Sequence, residues 1–351
     1  MDNKEIKVTF ETITPLYTSD AWQEFKEIRP SSLVGGLRFW FEVICYFGGI
    51  CSAKDFDKEK GRFEKYIKNE SIRKELLKQG TDFDGQISAL KDLKIPIPAI
   101  IFGTTGWKSL IEINSIRYLG DYCFGNKLNL LSKFCISKNE NKEVKENNEC
   151  PRRSNNDWSV FYFKIPYFWG KFEVVFRVPK EIKETIFFPL LNFMDKYGYW
   201  GGGWNIGYGR LRVLSVNSQD NSWQKNEFDF SKFDKNKKIY IEGNDSEENK
   251  IVEPVKETNL LTNEDTKIKH WKHNGCNLSV KDMLRNLIIE KSKLRRDIRD
   301  NKKRNEIFGK TGNIQDEDLP QGSKIFPYIN KLDNNSYECG LLSISGVLNL
   351  Y

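Results

Sequence analysis

Apolar and polar positions alternate along the first part of the chain. In Ile6–Tyr17 (IKVTFETITPLY) the period-two, β-rich pattern predicts a half-buried strand ending at Pro15. The period changes in Ser31–Phe47 (SSLVGGLRFWFEVICYF). Leu33, Leu37, Trp40, Ile44 and Phe47 recur at steps of four and three, the apolar stripe of one helix. Ser31 or Ser32, after Pro30, is placed to cap it, and Gly35, Arg38 and Glu42 fall off the stripe. Asp55–Gln79 is charged and reads as helical, Ala99–Trp107 as an apolar turn and Ser109–Leu119 as a strand. Ser137–Asp157 is rich in Asn, Lys and Glu and reads as a mobile loop. Two strand patterns follow, SVFYFKIPYF from Ser159 and KFEVVFRV from Lys171. Ile182–Tyr197 has helical spacing, with Pro189 in its first turn or at a kink. GRLRVLSV, from Gly209, is again a strand.

The order strand, helix, strands, helix, strand is a βαββαβ pattern. It predicts a ferredoxin-like (RRM-like) module over residues 1–217. Residues 217–267 are polar and read as a linker or insertion, and Val280–Arg304 as a strongly basic helix. IFGTTG at Ile101 and IFGKTG at Ile307 form a short internal repeat. The expected class is therefore α+β: two ferredoxin-like modules, the second (218–351) abbreviated, with long polar insertions.

Composition narrows the function. The 351 residues carry a formal net charge of +7, with 13% aromatics, a balance suited to phosphates and stacked bases. No run of about 20 apolar residues is present, so a membrane span is not expected. The charged start, without an apolar segment, predicts a cytoplasmic chain. The seven cysteines are odd in number and form no Cys-x-x-Cys, which points to reduced thiols.

Catalytic constellations are sparse. His270, His273 and Cys276 have metal-like spacing but lack a fourth ligand, so an exposed basic turn is the plainer reading and no metal is expected. Asp20 reads as a solvated loop residue. The chain has no P-loop, no Gly-x-Gly-x-x-Gly opening a helix and no Gly-x-Ser-x-Gly elbow. Neither enzyme activity nor a cofactor is expected. Binding chemistry is better represented. Gly201–Val213 reads GGGWNIGYGRLRV, and its glycines leave backbone N–H groups open to close approach. The candidate RNA contacts there are Gly201, Gly202, Gly203, Trp204, Asn205, Gly207, Tyr208, Gly209 and Arg210. Trp204 and Tyr208 are read as base-stacking rings and Arg210 as a phosphate partner. The competing reading is a tight turn with Trp204 in the core. The first helix offers a second anion site at Arg29, Ser31 and Ser32. Arg295, Arg296 and Arg299 on the basic helix are a third candidate, against the default of a solvated charged face.

Together "TPLY…IRPSSLVGGLRFWFE", "IFG" and "GYGRLRV" resemble the RAMP superfamily of CRISPR-associated proteins. The first motif is similar to the subunit-one family of type III-B (Cmr) effector complexes. The likeness covers most of residues 6–214. It implies two ferredoxin-like modules and a non-catalytic, RNA-binding role at the 3′ region of the guide (CRISPR) RNA. The implied partners are that RNA, target RNA and the other RAMP subunits of the Cmr complex. Arg29, Ser31, Ser32, Gly35 and Arg38 fall in the first-helix signature, and Gly201–Arg210 in the glycine-rich loop. Some positions depart from the family pattern. Thr18, Ser19 and Asp20 stand where glycine is usual, and Val34 and Glu42 where basic residues are common. Glu42 lies one helical turn from Arg38 and is placed to pair with it. RAMP proteins also include guide-RNA-processing endonucleases. Those usually carry the glycine loop near the C-terminus and use a histidine, whereas here the loop is mid-chain. A purely structural adaptor is the third reading.

Overall fold

A computed structural model describes residues 3–18, 25–57, 59–138, 143–217, 223, 253–255, 260–262, 271–273, 279–300, 304, 308, 325–332 and 336–343. Its main sheet is antiparallel. It is built from β1 (Asn3–Thr12), β4 (Glu112–Gly125), β8 (Tyr167–Pro179) and β9 (Leu211–Asn217), in the order β4-β8-β1-β9. The first helix, α1 (Pro30–Phe47), connects β1 towards β4. A second helical run connects β8 to β9: α5 (Lys180–Ile182), a π turn (Lys183–Phe187) and α6 (Phe188–Lys196). The predicted order strand, helix, two strands, helix, strand is thus present around one sheet. Pro189 stands at the second residue of α6, directly after the π turn; lacking an N–H it cannot donate back into the preceding turn, and the helical run departs from α geometry just there.

Alternation decides which face is covered. Ile6, Val8 and Phe10 of β1 are buried with Phe172, Val174, Phe176 and Val178 of β8 beneath α1 and α6. Leu33, Leu37 and Trp40 are the fully buried part of the α1 stripe. The opposite face carries opposed charges. Glu5 lies across from Arg177, and Glu11 across from Lys171 on one side and Arg212 on the other. Arg117 lies 3.3 Å from Glu173, and Lys331 lies 3.3 Å from Glu11. At these positions charged side chains, among them the ion-paired Glu11 and Glu173, stand in place of the stacking rings by which an RRM-type sheet holds bases.

Between α1 and β4 the chain forms a small hairpin, β2 (Phe56–Asp57) with β3 (Arg62–Phe63), then α2 (Asn69–Gln79), α3 (Phe83–Asp92) and α4 (Ile97–Phe102). The helix expected over Asp55–Gln79 therefore occupies only its last part. Apolar Phe56 and Phe63 pair across the hairpin instead, their rings 5.2 Å apart.

The polar segment after Ser137 is also more ordered than its composition suggests. Strands β5 (Lys133–Ser137), β6 (Val144–Glu146) and β7 (Trp158–Tyr162) form a sheet in the order β6-β5-β7. A disulfide joins Cys135 and Cys150, which corrects the expectation of reduced thiols throughout. No local motif announces it, because the pairing of β5 with β6 is what brings the two residues together. Cys45, Cys51, Cys123 and Cys339 are outside this disulfide and keep their thiols.

In the second half, β10 (Glu253–Val255) pairs with β11 (Leu260–Thr262). Strand β12 (Trp271–His273) joins β13 (Ile325–Lys331) and β14 (Tyr337–Ser343) in the order β12-β14-β13. Helix α7 (Val280–Asp297) is capped by the Ser279 side chain and packs on β13 and β14. The described C-terminal elements are thus a helix and short antiparallel sheets. The repeat at Ile307, apart from buried Phe308, lies outside the described residues, as do Asp20, His270 and Cys276; of His273 only the backbone is described.

Candidate nucleic-acid interface

The start of α1 is held by two hydroxyl groups. The Thr18 hydroxyl accepts from the Arg29 N–H (3.0 Å) and donates to the Glu27 carbonyl (3.1 Å). The Tyr118 hydroxyl accepts from the Ile28 N–H (3.1 Å). Thr18 was visible in the sequence only as a departure from a glycine pattern, and its contribution to α1 depends on tertiary contacts. Neither serine stands at the cap: Arg29 occupies the N-cap position, its own side chain makes no cap hydrogen bond, and the first turn holds no acidic residue. The helix therefore presents the positive end of its dipole beside a half-buried arginine and exposed Ser31.

The glycine loop lies against the same helix. A Cβ on Gly36 would come within 3.1 Å of the Tyr199 carbonyl oxygen and 3.4 Å of Trp200 Cα, so α1 and residues 199–201 touch backbone to backbone. Phe39 and Trp204 meet edge to face at 5.0 Å. The Gly202 N–H donates to the Tyr17 carbonyl (2.8 Å), and the Gly209 N–H to the Pro15 carbonyl (2.8 Å). The loop is thus stitched to the end of the β1 segment. Gly201 (φ 66°) and Gly209 (φ 91°) are left-handed, and a Cβ would run into the Tyr17 carbonyl at the first and the Trp200 carbonyl at the second. Most of these glycines serve close approach of the protein to itself.

The loop has two halves. Gly201, Gly202, Gly203 and Trp204 are half-buried and Asn205 is exposed, next to α1. Gly207, Tyr208, Gly209 and Arg210 face inward. Arg210 is 0% exposed. Its guanidinium donates to the carbonyls of Gly198, Lys196 (2.7 Å), Asp195 (3.1 Å) and Ile329 (3.4 Å), and lies over the Tyr199 and Tyr328 rings. It closes the end of α6 and ties it to β13, so its donors are committed to the protein rather than to phosphate. Tyr208 is also buried, its hydroxyl on the Lys164 carbonyl (3.1 Å) and its ring 5.9 Å from Tyr167, so it is not a stacking surface for bases. Burial pushes its phenol well above the usual range.

Arg38 is similarly engaged. It bonds the Glu42 carboxylate (2.8 Å) and the carbonyls of Gly103 (2.9 Å) and Phe63 (3.1 Å), with Glu64 at 3.7 Å. The pairing with Glu42 expected from spacing is present. Burial pushes the Glu42 carboxyl up, and the Arg38 hydrogen bond and charge oppose that shift. Arg38 therefore ties α1 to the β2–β3 hairpin and the turn after α4. Gly35, by contrast, is exposed, and a Cβ there would meet nothing within 4 Å.

The basic helix turns much of its charge inward. The Arg296 guanidinium donates to the Ser292 carbonyl (3.3 Å) and to the Ser137 carbonyl. Arg295 lies over Phe308. Arg299 lies beyond the end of α7 and is exposed. The sequence did not single out Lys291, although it links α7 to the loop. Its ammonium donates to the carbonyls of Ile325 (2.7 Å) and Asn205 (3.3 Å), and burial pulls its pKa down to about 7.

The structure thus brings together Arg29, Ser31, Ser32 and Gly35 with the outer loop edge, residues 201–205. Arg38, Tyr208 and Arg210 instead face inward, and of α7 it is Lys291, not one of the predicted arginines, that reaches the loop edge at the Asn205 carbonyl. Among the described residues no cluster of His, Cys, Asp and Glu is placed to hold a metal ion, and no helix is long and apolar enough to cross a membrane.

No curated protein matches the chain significantly. Among solved structures, a chain of the type III-B Cmr-beta complex bound to cognate target RNA and AMPPnP, in the presence of ssDNA, is 12% identical over 99% of this chain and 98% of that one, with a TM-score of 0.42. Apo Cmr1 from Pyrococcus furiosus is 14% identical over 96% of this chain and 87% of its own, at 0.41. Cmr6 from Pyrococcus furiosus is 14% identical over 61% of this chain and 98% of its own, at 0.31. The family model of the RAMP superfamily matches residues 9–212, a span that runs from β1 through α1 and the glycine loop into β9. Since that span is more than half of the chain and includes both candidate RNA elements, the chain belongs to the RAMP superfamily.

Proposed function

We propose that this chain is a non-catalytic, RNA-binding subunit of a cytoplasmic type III-B CRISPR RNA-targeting complex, holding the 3′ region of the guide RNA beside other RAMP subunits. The observation that carries this reading is the adjacency of the start of α1, with Arg29 at its N-cap and no acidic residue in its first turn, and the outer loop edge, Gly201–Asn205, within a RAMP-family chain. A helix N-terminus and accessible loop backbone suit phosphates, and the half-buried Trp204 is a ring beside them. The subunit-one assignment rests on the TPLY…IRPSSLVGGLRFWFE motif, and α7 with β12–β14 is read as an abbreviated second ferredoxin-like module.

The inward Arg38 and Arg210 and the charge-compensated sheet face favour a second reading, a structural adaptor that touches RNA incidentally. A filter-binding titration of the purified chain with single-stranded RNA at two salt concentrations, with a gel on the same samples, tests both. Salt-sensitive binding with intact RNA is expected. Absence of binding at low salt favours the adaptor, and site-specific cleavage of a hairpin repeat RNA overturns the non-catalytic reading.

A further inference from the structure

The edge strand β4 carries an exposed ring that the sequence reading did not select. Its register against β8 shifts between Leu119 and Cys123. Gly120 is left-handed (φ 60°), and Gly170 on β8 has no Cβ to obstruct the bulge, since one there would lie 2.8 Å from Tyr122 Cβ. The bulge presents Tyr122 with 45% of its surface exposed. Its ring lies 5.0 Å from Tyr118 and 6.1 Å from both Phe124 and Phe168.

Two contacts tie this ring to the candidate interface. Tyr118 holds the Ile28 N–H, one residue before the α1 N-cap. A row of rings also runs back to the loop: Phe124 to Phe25 (5.3 Å), Phe25 to Tyr17 (5.5 Å), and Tyr17 to Gly202 through the backbone. Tyr17 and Phe25 are buried, whereas Tyr122 opens to solvent at the far end of the row.

We propose that Tyr122 is a stacking platform for one unpaired base of an RNA strand whose phosphates pass the start of α1. The proposal rests on the RNA-binding reading above. A single exposed ring offers about one base of stacking area, supported from below by Tyr118 and Phe168. Exposed Lys26 and half-buried Arg29 place cationic side chains on the adjoining segment. Asp121 beside the ring is offset by Lys127 at 3.7 Å. Stacking uses the ring rather than the hydroxyl, so recognition there is tolerant of base identity.

The test is titration of fluorescein-labelled single-stranded RNA with the full chain and its Tyr122→Ala, Tyr122→Phe and Arg29→Ala variants across a salt series, with folding checked by circular dichroism. Tyr122→Ala is expected to weaken binding about tenfold with an unchanged salt slope, and Tyr122→Phe to bind like the unaltered chain. Arg29→Ala is expected to flatten the slope. Unchanged affinity in Tyr122→Ala, or equal losses in Tyr122→Phe and Tyr122→Ala, overturns the platform while leaving the RNA reading standing. Failure of the unaltered chain to bind RNA overturns both.

Discussion

The inner and outer halves of the glycine loop have similar residue types and different surroundings. On the inner side, a Cβ at Gly207 would meet Leu284 at 2.6 Å and Pro327 at 3.0 Å, and one at Gly209 would strike the Trp200 carbonyl. On the outer side, the nearest neighbour of a Cβ at Gly202 is 3.7 Å away. Gly201 shares the inner glycines' role, since a Cβ there would strike the Tyr17 carbonyl, whereas Gly202 has room for one and the outer edge stays half-buried rather than enclosed. The arginines divide in the same way. Arg210 is fully buried and serves carbonyls inside the molecule, and Arg29 is half-buried at the N-cap of α1. A motif therefore mixes scaffold and surface, and its basic residues do not mark RNA contacts as a group.

The largest expected effect comes from removing the inner arginine. Arg210→Ala strands several buried carbonyls and is expected to lower unfolding free energy by about 3–5 kcal/mol, read as a shift of the denaturant midpoint. Arg210→Lys is expected to recover little, because one ammonium cannot replace a planar fork of donors. Gly209→Ala forces a left-handed alanine into a backbone contact and is expected to cost about 3 kcal/mol in the same assay.

Lys291 tests the joint between the loop and the C-terminal half. Its folded pKa is depressed from 10.5 to about 7, chiefly by burial and then by Arg295. Between those values the unfolded chain binds the extra proton, so this group's contribution to stability rises with pH from about 7 to 10.5. Below pH 7 the charged ammonium is retained in its buried site and that gain is absent. Comparing midpoints over this window, the native chain should show the rise and Lys291→Met should lose it.

The smallest effect belongs to the open surface. Gly35→Ala fills empty space on an exposed helix and is expected to stabilise the fold by about 0.5–1 kcal/mol. If RNA passes over this position, the same variant binds it more weakly while melting later. A rise in stability with no change in affinity would remove Gly35 from the interface.

The elements whose apolar face is local were legible in the sequence. The β1 alternation, the α1 stripe, the strand after Lys171 and the strand after the glycine loop all correspond to elements around the main sheet. Features that depend on distant partners were not. Nothing local states that Arg210 meets Met194–Gly198 and Ile329, or that Cys135 faces Cys150. The polar segment after Ser137 looked loop-like because its strands are short and lie on a small sheet, where few positions need to be apolar. Tyr122 escaped notice because a bulge, rather than the β4 alternation, determines where it points.

Ultraviolet crosslinking of the full chain to single-stranded RNA, followed by peptide mapping, tests the central claim most directly. Crosslinks in residues 25–35, 118–124 and 201–205 are the predicted result. Crosslinks confined to α7 and Arg299, or to the charged face of the main sheet, would contradict it.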